Sequence, residues 1–254
     1  MSKIWFITGA SRGFGRSWTI AALERGDKVA ATARDTATLK DLVEKYGDAL
    51  LPIQLDVTDR AADFAAVQLA HQHFGRLDIV VNNAGYGHFG FVEEVTEAEA
   101  RAQFDTNVFG ALWVTQAAIP LMREQGSGHI VQISSIGGVA AFPTVGIYNS
   151  SKWALEGFSE ALAQEVAGFG IHVTLIEPGG YATDWGGAEL ERDQVAHAAT
   201  LTVPSCMASL TSIPVGALCS SWHRAMTAFS LEMHLRCHSD VAKASFRSIW
   251  RPMM

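Results

Sequence analysis

The chain has 254 residues, of which 48% are apolar and 18% charged, so it is neither disordered nor fibrous and suits one large α/β domain. Its net charge of −7, without a long basic run, argues against binding to the phosphate backbone of nucleic acid. Three widely spaced cysteines exclude a disulfide scaffold and a zinc motif, and no apolar run is long enough for a membrane span or for a secretory signal. We therefore expect a cytoplasmic protein without metal, membrane or nucleic-acid partners.

Short apolar segments alternate with longer helical patterns up to residue 176. Such segments suit strands that are buried on both faces of a parallel sheet, and the alternation is typical of βαβ units. The pattern predicts a Rossmann-type, doubly wound parallel sheet in a three-layer α/β/α arrangement. In chain order the predicted elements are strand 4–7, helix 15–25, strand 29–33, helix 38–46, strand 51–55, helix 59–74, strand 79–82, helix 97–124, strand 128–134, helix 148–169 and strand 172–176.

The composition changes near residue 190. Residues 1–189 carry a net charge of −9, whereas residues 190–254 carry +2 and hold all three cysteines. We predict a dinucleotide-binding and catalytic domain over 1–189. Residues 190–254 are predicted to be an irregular C-terminal segment, either a substrate lid or the product of a shifted reading frame. One amphipathic helix near 216–235 is expected there, and no strand that completes the sheet.

The first predicted strand runs directly into a glycine-rich turn. Gly9, Gly13 and Gly15 allow a tight backbone and a close approach to a pyrophosphate, which the amide groups at the start of the next helix can bind. Such a loop alone could be no more than a tight turn. Its position between a strand and a helix, at the start of an alternating pattern, indicates a dinucleotide site.

Further motifs follow in a fixed order. They are Asn82-Asn83-Ala84-Gly85 after the fourth strand, Asn107 in a TNVFG segment, Ser135 thirteen residues before Tyr148, the Tyr148-x-x-x-Lys152 pair, and Pro178-Gly179 followed by Thr183. Together with the G-x-x-x-G-x-G spacing, they resemble the short-chain dehydrogenase/reductase family over about residues 4–185. The final helix and strand that are usual in that family are not recognisable after residue 190.

The tyrosine and lysine are predicted to carry the chemistry. A lysine four residues after a tyrosine lies on the same helix face, and its charge should lower the tyrosine pKa from its reference value near 10. The resemblance implies that Tyr148 donates or accepts a proton and that Lys152 tunes it and binds the ribose. It also implies that Ser135 orients the carbonyl oxygen and that Asn107 holds a water link from Lys152 to solvent. Ser134 is the alternative to Ser135.

The cofactor preference depends on the end of the second strand. Arg34 there and Arg12 in the glycine-rich loop could pair with the 2′-phosphate of NADP, whereas Asp35 could instead bind the ribose hydroxyls of NAD. We predict NADP(H), with NAD(H) possible. The predicted cofactor-binding residues are Gly9, Ser11, Arg12, Gly13, Phe14, Gly15, Arg34, Asp56, Val57, Asn83, Ala84, Gly85, Tyr148, Lys152, Pro178, Gly179 and Thr183.

The sequence therefore predicts an NADP(H)-dependent oxidoreductase that interconverts a small carbonyl compound and an alcohol. The alternative is a nucleotide-binding protein without turnover, because the C-terminal segment is atypical. A homodimer or homotetramer is expected, since in the family the helices matching 97–124 and 148–169 pack against a partner subunit. These helices carry apolar stripes that could also simply face the sheet: Phe104, Val108, Ala111 and Leu112, and Leu155, Phe158 and Leu162.

Overall fold

The computed structural model describes residues 2–179 and 234–237. The strands are β1 Ile4–Ile7, β2 Lys28–Ala33, β3 Leu50–Gln54, β4 Ile79–Asn82, β5 Gly128–Ile133, β6 Ile171–Glu177 and β7 His234–Cys237. The helices are α1 Gly13–Glu24, α2 Lys40–Tyr46, α3 Arg60–Phe74, α4 Glu97–Phe104, α5 Ala111–Gln125 and α6 Gly146–Val166, with a π-helical turn at Asp105–Gly110 and 3-10 turns at Thr36–Leu39, Gly47–Ala49, Ile136–Gly138 and Ala167–Phe169.

The strands form a single sheet in the order β3-β2-β1-β4-β5-β6-β7. Strands β1 to β6 are parallel to their neighbours, and β7 is antiparallel to β6. The chain builds outward from β1 in one direction and then, from β4, in the other. The point where this order reverses lies between β1 and β4, which is where ligands bind in doubly wound sheets.

The alternating side chains of β1 explain the three layers. Ile4 and Phe6 belong to a core cluster on one face of the sheet, together with residues of α3 and α5. Trp5 and Ile7 belong to a second cluster on the opposite face, together with residues of α1 and α2. Because successive residues of a strand point to opposite faces, a strand buried on both sides must be apolar throughout. The predicted α/β/α fold is confirmed.

The predicted helix 97–124 is divided by the π-helical turn Asp105–Gly110 between α4 and α5. A tight approach accompanies the turn: a β carbon on Gly110 would lie only 2.7 Å from Val57 Cγ2. The periodicity of the apolar residues continues through this region, so the sequence pattern predicted one helix. Single π turns inside α-helices occur frequently at functional sites.

The expectation that no strand follows residue 190 is wrong. The backbone of β7 pairs with β6, with His234 opposite Glu177 and Cys237 opposite Thr174. The edge of β6 is therefore paired rather than open. Most of the helix predicted near 216–235 lies outside the described residues, and its last two positions fall in β7. Among the helices that the structure describes, none is both long and apolar enough to cross a membrane.

Candidate active site

The glycine-rich turn joins β1 to α1 and leaves no room for a side chain at Gly15 and little at Gly9. Gly9 and Gly13 have φ values of +64° and +54°, which favour glycine. A β carbon on Gly15 would lie 2.5 Å from Asn83 Nδ2 and would overlap the Gly9 carbonyl. No side chain caps the N-terminus of α1, so its first amide groups are free to bind phosphate oxygens. The turn thus fits the pyrophosphate of a dinucleotide.

A polar tether joins this turn to the loop after β4, across the switch point. Thr8 Oγ1 accepts hydrogen bonds from the Asn83 and Ala84 amides, both at 2.9 Å. Asn83 Nδ2 donates to the carbonyl oxygens of Thr8 and Gly9, at 2.9 and 3.0 Å. The side chain of Asn83 therefore holds the two loops together. Sequence reasoning noted Thr8 only as the residue before Gly9, because its partners are 75 residues away.

Arg12 in the glycine-rich turn and Arg34 at the tip of β2 are the residues that were predicted to pair with the 2′-phosphate of NADP. The Arg12 and Arg34 side chains are exposed, and no ion pair joins either of them to another described residue. Asp35 caps the following 3-10 turn, with Oδ1 accepting from the Ala37 amide at 2.9 Å. This cap uses one of the two oxygens of the carboxylate that was the alternative ribose ligand.

At the end of β3, the adjacent residues Asp56 and Val57 have different environments. Asp56 is exposed, and its Oδ1 accepts from the amide and the hydroxyl of Thr58 at 3.0 and 2.8 Å. Val57 is buried and packs against Gly110 of the π turn. In the glycine-rich turn, Phe14 stacks on Trp18, with ring centroids 5.2 Å apart, and Ser11 is half-buried.

Tyr148 and Ser135 meet beside the 3-10 turn after β5. A β carbon on Gly137 would lie 3.2 Å from Tyr148 Cε1 and 3.4 Å from Ser135 Oγ, so these groups are neighbours. Ser135 Oγ accepts from the Gly137 amide at 3.0 Å, so its own hydrogen can be donated to Tyr148 or to a bound molecule. Ser134 is buried and directed at Gly138. The geometry therefore favours Ser135 over Ser134 as the serine of the site.

The pKa of Tyr148 was expected to be lowered by Lys152, and this expectation is wrong in direction. The tyrosine is 6% exposed, and burial raises its pKa because the charged phenolate loses hydration. A hydrogen bond with Ser135 acts in the opposite direction but is the smaller effect. Lys152 Nζ lies 5.9 Å from the centroid of the tyrosine ring.

Lys152 is buried one turn along α6 from Tyr148, on the same face. Its Nζ donates a hydrogen bond to the Ile133 carbonyl at 2.7 Å. Burial lowers the pKa of Lys152 to about 8, and the nearby Glu156 acts against this shift. The lysine is therefore still mostly protonated at neutral pH. A β carbon on Gly85 would lie 3.6 Å from Nζ, which places the ammonium group beside the loop that the tether holds to the glycine-rich turn.

Asn107 is buried within the π turn. Its Oδ1 accepts from the Tyr86 amide at 3.1 Å, and its Nδ2 donates to the Tyr86 carbonyl at 2.9 Å and to Ser151 Oγ at 3.1 Å. Its Oδ1 would also lie 3.1 Å from a β carbon on Gly85. The structure thus places Asn107 and Lys152 close together beside Gly85. Sequence reasoning did not single out Ser151, which is one of the unspecified positions of the Tyr-x-x-x-Lys spacing.

The remaining predicted residues lie after β6. Pro178 is buried, and its carbonyl accepts from the Ile136 amide at 2.9 Å, next to Ser135. Gly179 is exposed, and Thr183 lies outside the described residues.

Tyr148, Ser135 and Lys152 are brought together at the carboxyl end of the sheet, near the glycine-rich turn. They place an acid, a hydrogen-bond donor and a cation in one location, which suits proton transfer to an oxygen that develops negative charge.

His129 on β5 bonds to the neighbouring strand β6. His129 is buried, and its Nε2 is 2.8 Å from Thr174 Oγ1. Burial, and to a lesser extent His172, lowers the pKa of His129 to about 4, so its ring is neutral. Within residues 2–179 and 234–237, no group of three or more His, Cys, Asp or Glu side chains could hold a metal ion.

The sequence matches the family model of the short chain dehydrogenases over residues 3–194. The oxidoreductase BOA17 of Botryotinia fuckeliana is 46% identical over 211 residues, which are 83% of this chain and 77% of that protein. A 3-ketodihydrosphingosine reductase of Bacteroides thetaiotaomicron is 41% identical over 181 residues, covering 71% of this chain. The match spans 65% of the length of that relative.

Solved structures with the same fold include complexes with both nicotinamide cofactors. A short-chain dehydrogenase/reductase from Burkholderia phymatum with bound NAD is 30% identical, with a TM-score of 0.71, and the match covers 75% of this chain and 70% of that one. ElxO with bound NADP is 30% identical, with a TM-score of 0.70, and the match covers 77% and 79% of the two chains. These neighbours bind either NAD or NADP.

Proposed function

The chain belongs to the short-chain dehydrogenase family, and we propose that it is an NADP(H)-dependent oxidoreductase that interconverts a carbonyl compound and an alcohol. One observation carries the proposal: Tyr148, Ser135 and Lys152 meet beside a loop that is tethered to the glycine-rich turn. A bound nicotinamide would supply or accept the hydride at the substrate carbon. The chain itself must then move a proton at the substrate oxygen.

Tyr148 is the group proposed to move this proton. In carbonyl reduction its hydroxyl donates to the substrate oxygen, and in alcohol oxidation the phenolate accepts. Because burial raises its pKa, Tyr148 is protonated at neutral pH and ready to act as an acid. The Ser135 hydroxyl, which bonds to Tyr148 in the absence of substrate, can donate to the same oxygen as negative charge develops there. The Lys152 ammonium group stabilises the phenolate that remains after donation.

Asn107 is proposed to support Lys152, which it approaches beside Gly85. Its placement near the ammonium group is consistent with a water link between Lys152 and solvent, through which the proton of Tyr148 would be replaced. The side-chain amide is itself held by Tyr86 and Ser151, so its orientation is fixed before any substrate binds.

The substitution Tyr148→Phe tests the reaction. It should lower turnover by a factor on the order of 10² or more, because no other group at this position can transfer the proton. NADPH binding, followed by fluorescence titration, should persist. Tyr46→Phe is the matched control, since that hydroxyl bonds to Glu24 at 3.5 Å and to the Lys45 side chain, neither of which belongs to the site.

The assay uses a panel of ketones and aldehydes with NADPH, and of alcohols with NADP. Near-normal turnover by the Tyr148→Phe variant would reject the assignment of the proton donor. NADPH binding without turnover by the unaltered chain on any member of the panel would favour the alternative, a nucleotide-binding protein that is not an enzyme.

The preference for NADP is proposed from the charges at the tip of β2. Arg34 and Arg12 pair with no described acid, and the Asp35 carboxylate caps a turn. A charge-assisted hydrogen bond is worth about 1.5–3 kcal/mol, so Arg34→Ala should weaken NADP binding by roughly tenfold or more and NAD binding much less. Arg101→Ala, on the distant α4, is the control. Equal losses for the two cofactors would contradict the proposal.

A homodimer or homotetramer is proposed from the exposed apolar residues of the helical layer. Trp153 on α6 is 53% exposed, and Phe109, which stacks on Trp113, is 41% exposed. The stripes identified in the sequence lie mostly inward, since Val108, Ala111, Leu155 and Leu162 are all buried. Light scattering at micromolar concentration should give a multiple of the 27.4 kDa chain mass. A monomeric mass would refute the proposal.

A further inference from the structure

A buried hydrogen-bond network joins three elements around the site. Asn107 in the π turn holds the Tyr86 peptide at both its amide and its carbonyl. Its remaining N–H donates to Ser151 on α6, and the Ser151 hydroxyl donates to the Tyr148 carbonyl at 2.7 Å. The network therefore runs from the loop that follows the Asn83–Gly85 segment, through the π turn, to the backbone of the helix that carries Tyr148 and Lys152.

The hydrogen-bond directions in this network are fixed by its two ends. The Tyr148 carbonyl can only accept, so Ser151 Oγ donates to it and must accept from Asn107. At the other end, the Tyr86 amide can only donate, so Asn107 Oδ1 faces it. Both ends thus require the same orientation of the Asn107 amide. Ser151 has no exposed surface, and water cannot replace its hydroxyl as the acceptor.

We propose that Ser151 is a positioning residue for the reaction, and this inference rests on the proposed oxidoreductase function. Ser151 touches neither the substrate nor the cofactor. It orients Asn107, which in turn fixes the Tyr86 peptide next to Gly85 and Lys152. Without the hydroxyl, one N–H of Asn107 is buried and unpaired, so the amide reorients and releases the Tyr86 amide.

The loop that contains Tyr86 and His88 is also held by a second side chain, so loss of the Ser151 hydroxyl should not release the whole loop. Gln103 on α4 donates to the Tyr86 carbonyl at 2.8 Å and accepts from the His88 amide at 2.7 Å. These bonds do not involve Ser151. Loss of the Ser151 hydroxyl should therefore loosen the Tyr86 amide while the His88 amide stays bound. The two amides should then differ in their protection from hydrogen exchange.

The neighbouring serine is a matched control. Ser150 is exposed, and its hydroxyl donates to the Gly146 carbonyl at 2.9 Å within α6. Both serines thus bond to a preceding carbonyl of the same helix, and only Ser151 also accepts from another element. A difference between Ser151→Ala and Ser150→Ala reports the link to Asn107 rather than the loss of a helical side-chain bond.

The test combines steady-state kinetics with amide hydrogen exchange measured by NMR on the full chain. Ser151→Ala should lower kcat by about tenfold through misplacement of the site, while KM for NADPH changes by less than about twofold. Protection of the Tyr86 amide should fall by about tenfold relative to that of His88. Ser150→Ala should change neither quantity, and Ser151→Thr, which keeps the hydroxyl, should restore both.

The inference is overturned if Ser151→Ala matches Ser150→Ala in kcat and in the protection of Tyr86. It is also overturned if Ser151→Ala lowers protection equally throughout the sheet, since that would show a general loss of stability. Should Ser151→Ala fail to fold, Ser151→Cys keeps the side-chain volume with a weaker hydrogen-bonding group and carries the same comparison. A wild-type chain without turnover would refute the proposed function, and the exchange of Tyr86 would still decide the role of Ser151.

Discussion

Replacing Asp63 with asparagine should make the stability of the protein less dependent on pH. Asp63 lies in the first turn of α3 with no exposed surface, and neither carboxyl oxygen bonds to any described residue. Burial, followed by repulsion from Asp59 and Asp56, raises its pKa from 3.8 to about 8. The folded chain therefore holds a neutral carboxylic acid at pH 7, where the unfolded chain has a carboxylate.

The sign of the effect follows from proton binding. Between pH 3.8 and 8 the folded state binds one more proton at this position than the unfolded state, so stability falls as the pH rises. One proton corresponds to about 1.4 kcal/mol per pH unit, so the loss from pH 5 to pH 7 is up to about 3 kcal/mol. The contribution is fully present only below pH 3.8 and is lost as the pH passes 8.

Urea unfolding followed by tryptophan fluorescence measures this effect at pH 5, 6, 7 and 8. Asp63→Asn should gain about 1–3 kcal/mol relative to wild type over this range, because the amide has no proton to lose. Glu165→Gln, which removes an exposed carboxylate on α6, controls for the change in net charge. A difference between wild type and Asp63→Asn that is the same at every pH would refute the reasoning, since it would show that Asp63 is ionised in the folded protein.

Three glycine substitutions test the packing around the site. Gly15→Ala should abolish NADPH binding in a fluorescence titration, since its β carbon would overlap the Gly9 carbonyl, and retained affinity would contradict this. Gly110→Ala should destabilise the fold by about 1–3 kcal/mol in urea, because the added carbon meets Val57 at 2.7 Å. Gly157→Ala, in open space on α6, should instead stabilise it by about 0.5–1 kcal/mol, and equal effects of these two variants would be inconsistent with the described packing.

The sheet could be predicted from the sequence because its signal is local. Each parallel strand is a mostly apolar run of four to seven residues, and β1 was placed at its observed bounds, Ile4–Ile7. The π turn could not be predicted, because the close packing that accompanies it joins Gly110 to Val57, 53 residues earlier in the chain. Apolar periodicity reports which residues are buried, but it does not report how closely two backbones approach each other.

The site was predictable in part for the same reason. The glycine-rich turn and the Tyr148–Lys152 pair follow from spacing within a few residues. In the structure the turn joins β1 to α1, and the tyrosine and lysine lie one turn apart on α6. The pKa of Tyr148 could not be obtained this way, since spacing shows the favourable charge of Lys152 but not the loss of hydration. The burial that turns the expected decrease in the pKa of Tyr148 into an increase comes from distant residues, which pack around the tyrosine only in the folded chain.

Burial of the lysine and of the tyrosine has opposite electrostatic consequences that suit the proposed chemistry. Desolvation raises the pKa of Tyr148 from 10.0 and lowers the pKa of Lys152 from 10.5 to about 8, so the two values move apart. Each group therefore favours its neutral form more strongly than it would in water. In the proposed reaction the neutral tyrosine is the form that donates a proton, so burial favours the direction of carbonyl reduction. The buried hydrogen bonds to Ile133 and Ser135 hold the two groups in this environment. A solvated Tyr-x-x-x-Lys pair on a helix surface would have the same spacing and would lack this property.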